Sequence, residues 1–304
     1  ARTGTPEDGV KGLSLFLCPS DTATGRNTVS VTRIEEKMGI HASPTCQLAF
    51  DAAEGDLIGK EGGGLMAMFT MMNHARLDVA LQGVAHAARA ADIAATYAAE
   101  RIQGRNASGP VSIDQHPAVQ AMLDEQQALA KGGRVMCHSA MVAMETGNRL
   151  LTEFLTPVCK AFCTDAGIRS ADLGIQVLGG YGYLKEYRVE QTLRDARICA
   201  IYEGTNEIHG LTLATRLLRM DNGAAADAFA DYVAPRVSAE NLAAWQAHRA
   251  KVSAASNPAV LAGDFMRVTG LLAWQAAWAM LDGTTPDNTR LAEYVRQRVD
   301  AVLG

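Results

Sequence analysis

The stretch Ile201-Tyr202-Glu203-Gly204-Thr205-Asn206-Glu207-Ile208 holds the residue types best suited to chemistry, with one carboxylate set between a bulky aromatic and a glycine where a new helical pattern begins. Gly204 permits a tight turn and a close approach of backbone to a ligand. Thr205 is placed to cap a helix running through Ile208, Leu211 and Leu218. A carboxylate on such a turn projects into whatever space the turn borders. In an apolar, closed space its pKa rises and it becomes a usable general base. An acid near a helix start also complements the helix dipole and helps to cap the end. The octapeptide alone leaves both readings open, a general base and a surface cap.

The elements that must position this turn are read from the rest of the chain. Its 304 residues are enough for one large domain or two smaller ones with a real core. A hydrophobic content of 48% excludes a disordered chain. The net charge of -5 argues against broad electrostatic binding of nucleic acid. No apolar run reaches about 18 residues, so no membrane span is expected. Six cysteines occur without a Cys-x-x-Cys pair. Cys159 and Cys163, one helical turn apart beside Leu155, Val158 and Phe162, read as packing, and a reducing, cytoplasmic setting fits them. The chain opens with Ala1, without an initiator Met or a signal-peptide pattern, and Gly12 to Pro19 reads as a strand that starts in mid-architecture. The expectation is a piece lacking an amino-terminal half.

Residues 1–60 are strand-like, through Leu13 to Leu17, Val29 to Ile34, Cys46 to Phe50 and Asp56 to Gly59, too little to close a sheet without partners. After the glycines at 62–64, Leu65 to about Gln103 reads as one long helix, apolar on most faces and therefore buried. Gly104 to Gln115 reads as a polar loop, and His116-Pro117 starts a second long helix reaching about Leu155. A third helix is predicted from Pro157 to Leu178, ending at Gly179-Gly180, and a short one over Arg188 to Ala196. Asp221-Asn222-Gly223 is the best internal boundary, followed by three helices near Ala224 to Lys251, Pro258 to Leu281 and Pro286 to Leu303. Trp274 and Trp278, one turn apart, read as packing or a subunit contact.

Several segments line up with Glu203: Lys37-Met38-Gly39-Ile40-His41, Gly59 to Leu65, Arg76, Glu100-Arg101-Ile102-Gln103, Gln176 to Tyr183, and Glu190 with Arg194 to Arg197. In order and spacing they resemble the second half of the acyl-CoA dehydrogenase family from about Gly12 to Leu218. The wording KMGIHASPTC, AMFTMMNHAR and TPVCKAFCTDAG is similar to the longer members, of the 3-methylmercaptopropionyl-CoA dehydrogenase type, which carry an extra helical domain. The resemblance implies a mainly α chain: part of a β-barrel domain over 1–60, a four-helix bundle over 61–221 and an additional helical extension over 222–304.

It also implies an FAD enzyme that oxidises an acyl-CoA to its trans-2-enoyl-CoA and passes electrons to an electron-transfer flavoprotein. Glu203 is then the base that removes the α-proton. Some members place that base just before the arginine matching Arg76, where this chain has Ala75, which cannot take a proton. Arg101 matches the arginine that reaches the FAD pyrophosphate across a subunit interface, which implies a homodimer or homotetramer. An aromatic residue usually follows two or three positions later, where Gly104 and Arg105 stand here. Gln103, His116, Gln176, Gly179, Gly180, Thr205 and Glu207 match further positions near the cofactor. Asn73, Arg76 and Gly204 match positions on the acyl-CoA side. Two other readings stand beside this one: an acyl-CoA oxidase-like flavoenzyme reoxidised by oxygen, and a non-catalytic helical subunit that drives assembly of a hetero-oligomer.

Overall fold

The computed structural model describes residues 1–303, apart from the side chain of Thr70. The chain divides into two units, Ala1–Ala75 and Arg76–Gly304. In the first, short runs of β-branched and apolar residues form strands that pair only two at a time. β1 (Leu15–Leu17) pairs antiparallel with β6 (Asp56–Ile58), β2 (Asp21–Thr22) with β3 (Gly25–Arg26), and β4 (Val29–Ile34) with β5 (Cys46–Phe50). A two-stranded ladder has nothing to bury its faces against. Val31, Ile34, Leu48 and Phe50 are accordingly exposed.

The long helix α1 spans Gly64–Glu100. Its opening turns are not buried as its composition suggests: Met66 is 77% and Met71 62% exposed. After the buried Gly64, burial resumes at Leu77 and follows an alanine stripe, Ala80, Ala87, Ala90, Ala94 and Ala98, whose small side chains let other helices approach closely. The segment after α1 is a hairpin rather than a loop. β7 (Ile102–Asn106) pairs antiparallel with β8 (Gly109–Ser112), and the Asn106 side chain accepts from the Ser108 N–H at 2.8 Å to form the turn.

α2 spans Pro117–Glu145 and α3 Arg149–Leu178. The break therefore falls at Gly147-Asn148 and not at Pro157, which lies inside α3. Asn148 caps α3 by accepting from the Leu151 N–H at 3.3 Å, a signal that outweighs the proline. Pro157 forfeits one intrahelical bond but sits in a stretch, Phe154 to Cys159, that is buried throughout, and packing there offsets the loss. α4 (Val189–Arg197) and α5 (Asn206–Thr215) follow.

Among the described residues beyond 222 there are four α-helices rather than three: α6 (Ala224–Val233), α7 (Ala239–Ala254), α8 (Ala262–Ala279) and α9 (Pro286–Leu303). Pro235 interrupts what composition presents as one helix, and Ser238 restarts it by capping the Asn241 N–H at 3.1 Å. These helices share one core with α2, α3 and α5. Phe154, Phe229, Trp245 and Phe265 stack through it at centroid spacings of 5.0, 5.1 and 6.0 Å. The indole N–H groups of Trp274 and Trp278 both donate to the Ala128 carbonyl at 3.0 Å, so this pair is packing within the chain. Each large apolar side chain so buried stabilises the fold by about 1.5–3 kcal/mol. Cys137, Cys159 and Cys163 are free, fully buried thiols in the same core. A smaller cluster, with Ala90, Ala94, Ala98, Ile113, Val177 and Val189, lies between α1, α3 and α4. Among the described residues no helix is long and apolar enough to cross a membrane.

Candidate active site

Two places in the second unit gather the residues of interest. The first is the turn that joins α4 to α5. Glu203 has φ 55° and Gly204 φ 90°. Two successive residues in the left-handed region reverse the chain tightly; Gly204 takes this conformation freely, whereas Glu203 adopts it at a cost of about 1–2 kcal/mol. The surrounding structure holds the strained residue in place. The Glu203 carbonyl accepts from His209 Nε2 at 3.1 Å and from Arg76 Nε at 3.4 Å. The Gly204 carbonyl accepts from Lys160 Nζ at 2.8 Å, and the same ammonium donates to Asn206 Oδ1 at 2.9 Å. Asn206 in turn donates to Asp165 Oδ1 at 2.8 Å and Thr164 Oγ1 at 3.1 Å. Thr205 caps α5, accepting from the Ile208 N–H at 3.4 Å. The Tyr202 hydroxyl donates to Gln82 Oε1.

Basic side chains from α1, α3 and α5 thus converge on two adjacent carbonyls of one turn. Burial and the two neighbouring cations, Lys160 and Arg76, push His209 down to about 4, so the ring is neutral near pH 7. A carbonyl can only accept, so the ring proton is on Nε2. Burial lowers Lys160 to about 8. It also lowers Arg76, against the pull of the Glu203 carboxylate. Burial likewise raises Asp165 and the Tyr202 hydroxyl. The Glu203 side chain is itself half-buried. Glu207 is exposed, and the start of α5 with the Thr205 hydroxyl holds its carboxyl below the usual range.

The second place is an open cleft of about 760 Å³ lined by Tyr97, Arg101, Gln103, His116, Gln176 and Gly179 to Tyr181, among others. Six of the expected residues, Arg101, Gln103, His116, Gln176, Gly179 and Gly180, therefore share one cavity. His116 does not cap α2 with its side chain; its Nε2 donates to the Gln103 carbonyl at 2.7 Å. Gly104 makes room for this, since a Cβ there would stand 2.9 Å from the imidazole. Tyr181 places an aromatic ring beside Arg101, whose guanidinium lies 5.9 Å from the ring centroid. Tyr97 and Tyr187 hold that ring at 6.2 and 5.3 Å. Arg101 has no ion pair among the described residues. A Cβ at Gly179 or Gly180 would meet nothing within 4 Å.

Thr205, Glu207, Arg76 and Gly204 lie at the first place and do not line this cleft. Glu207 borders another cavity of about 400 Å³ with Asp165, Arg169 and Arg267. Asn73 is half-buried on the part of α1 that belongs to the first unit. Sequence reasoning missed Lys160, His209 and Tyr181. Only Lys160 had a readable signal, as the one charge between Glu153 and Asp165 in an otherwise apolar helix.

Residues 62–218, which contain both places, match the family model of the acyl-CoA dehydrogenase C-terminal domain. The 3-methylmercaptopropionyl-CoA dehydrogenase of Ruegeria pomeroyi is 41% identical over 260 residues, which cover 77% of this chain and 43% of that protein. Among solved structures, Caenorhabditis elegans ACDH-11 in complex with C11-CoA superposes with a TM-score of 0.81 at 20% identity, over 97% of this chain and 57% of that one. A Bacillus anthracis acyl-CoA dehydrogenase complexed with FAD gives a TM-score of 0.76 at 22% identity, over 95% of this chain and 57% of that one. The chain thus spans about half the length of the relatives it matches. A family model over more than half of its residues, together with this relative, places the chain in the acyl-CoA dehydrogenase family.

Proposed function

We propose that this chain forms part of an acyl-CoA dehydrogenase that converts an acyl-CoA thioester to its trans-2-enoyl-CoA, with Glu203 as the base. One observation carries the reading: a half-buried carboxylate sits on a strained turn whose two carbonyls are fixed by side chains from three helices. An α-C–H beside a thioester is a very weak acid and a carboxylate a weak base, so the proton acceptor must be held rigidly and water kept away. Fixing the carbonyls of Glu203 and Gly204 also fixes the peptide planes that follow them. In a trans peptide the N–H points opposite the carbonyl, so the N–H groups of Gly204 and Thr205 turn away from the basic cluster. Backbone donors beside the base can then receive the charge that develops on the thioester oxygen, each contributing about 3 kcal/mol in such sites. Asn73, Arg76 and Gly204 are proposed on the acyl-CoA side.

The cleft residues fit a flavin dinucleotide. Arg101 is a planar, permanently charged group with no ion pair among the described residues, suited to a pyrophosphate, and Gly179 and Gly180 leave a lip open to a ligand. Gln103, Gln176 and His116 add polar groups on the same wall, and Thr205 with Glu207 is proposed at the far end of the cofactor. When bound, FAD would supply the two-electron acceptor for the β-hydride. Electron-transfer flavoprotein as the onward acceptor, a homodimer or homotetramer, a substrate like that of the 3-methylmercaptopropionyl-CoA type and a cytoplasmic location complete the proposal.

The test is Glu203→Gln in the complete flavin-loaded protein, followed by rapid mixing with an acyl-CoA. The expected result is flavin reduction slowed by about 10²–10⁴-fold with flavin content unchanged. Reduction at the original rate would remove Glu203 from the reaction.

A further inference from the structure

Lys160 is 0% exposed, one of the largest fully buried side chains in the molecule. Lysine is almost never fully buried unless paired, yet among the described residues no carboxylate lies within ion-pair distance of its Nζ. Its partners are two neutral acceptors, Gly204 O at 2.8 Å and Asn206 Oδ1 at 2.9 Å. Its neighbours on α3 are buried: Pro157, Val158, Cys159, Ala161 and Cys163 are apolar, and the hydroxyls of Thr156 and Thr164 are spent on α3 carbonyls. An apolar side chain of similar length would pack there at lower cost than a charge. A local rule broken at expense, with polar contacts to the base-bearing turn and to the first residue of α5, marks a functional position.

We propose that Lys160 is a positioning residue for Glu203: its buried ammonium ties the Gly204 carbonyl to the first residue of α5 and so holds the strained turn in one conformation. The proposal rests on the reading of Glu203 as the base. The groups that face the ammonium are Asp165 on α3, Arg76 on α1, Glu207 on α5, Cys199 ahead of the turn, and His209, whose ring carries no charge near pH 7. Burial outweighs the attraction of Asp165 and Glu207 and brings Lys160 to about 8; burial pushes the Cys199 thiol up, so it stays neutral in this range. Raising the pH through that value removes the charge and weakens both hydrogen bonds, because bonds from a charged donor are about twice as strong as neutral ones.

The experiment compares Lys160→Met with Glu203→Gln in the complete flavin-loaded protein, reading kcat per bound flavin, KM and the pH profile. For Lys160→Met the expected result is a fall in kcat of about 10- to 100-fold with KM changed by less than about threefold. Wild-type kcat is expected to decline as pH rises through about 8, and that decline should be absent from the variant. A normal kcat in Lys160→Met, with Glu203→Gln inactive, overturns this proposal alone. Full activity in Glu203→Gln overturns the assignment of the base instead. Should Lys160→Met fail to fold, the wild-type profile decides: a kcat that stays level across that pH range refutes the role, and a decline there supports it.

Discussion

At the scale of single residues, the imidazole of His209 makes the site sensitive to acid. It is 2% exposed, flanked by two cations, and donates to the carbonyl of Glu203. Its folded-state pKa of about 4 lies below the value of 6.5 for the free side chain. Between those values the unfolded chain binds the extra proton, so stability is complete above about pH 6.5 and is lost as pH falls toward 4. The loss is on the order of 3 kcal/mol. Denaturant unfolding at several pH values should show this slope in the wild type and a flatter one in His209→Gln. The Glu203 turn was legible because its information is local: an acid, a turn glycine and a capping threonine are consecutive in the chain. Lys160 and His209 were not, because the convergence of helices on a carbonyl is set by tertiary packing that no spacing rule encodes.

At the scale of elements, the crossing of α1 and α3 is set by two glycines. A Cβ on Gly83 would overlap the Cys163 carbonyl and stand 2.8 Å from the Thr164 Cα, and one on Gly167 would stand 2.7 Å from the Gly83 carbonyl. Gly83→Ala must push α3 outward one turn beyond Lys160. It is expected to destabilise the fold by about 1–3 kcal/mol and to lower the temperature of thermal unfolding measured by circular dichroism. The effect should carry into kcat, because α3 supplies the ammonium beneath the Glu203 turn. The existence of most helices could be read from periodicity, and β4 and β5 from their composition. The errors fell at punctuation. Pro157 reads as a helix start, yet the Asn148 cap is the stronger signal and sets where α3 begins. Composition reads straight through Pro235, yet Ser238 caps the helix after it. The hairpin of β7 and β8 was hidden by polar composition, since most of its residues are exposed and show no apolar alternation.

At the scale of the whole molecule, the helices after residue 222 are bound into the bundle by a common core, although the sequence marks a boundary there. Removing them would strip the cover from Ala128 and uncover Phe154. A chain ending at residue 221 is therefore expected to aggregate or to lose most of its helical signal, as gel filtration and circular dichroism would report. A soluble, fully helical product would show that the bundle stands without them. The fold class was legible from the long proline-free, alanine-rich stretch after Gly64, which reads as a helix, together with the family resemblance carried by the motifs around Glu203. The shared core was not, because Asp221-Asn222-Gly223 reads locally as a linker.

The three tryptophans of the chain are Trp245, Trp274 and Trp278, all buried among α7, α8 and their neighbours. Ultraviolet emission from this protein is therefore a report from one region only. It will be blue-shifted while the indoles remain sheltered and will move to the red when α8 separates from α2. Loosening confined to Ala1–Ala75, which contains no indole, will leave its colour unchanged. A melting curve followed at that wavelength measures the helices of residues 222–303 and their seat on the bundle, and a second probe is needed to see the strands melt.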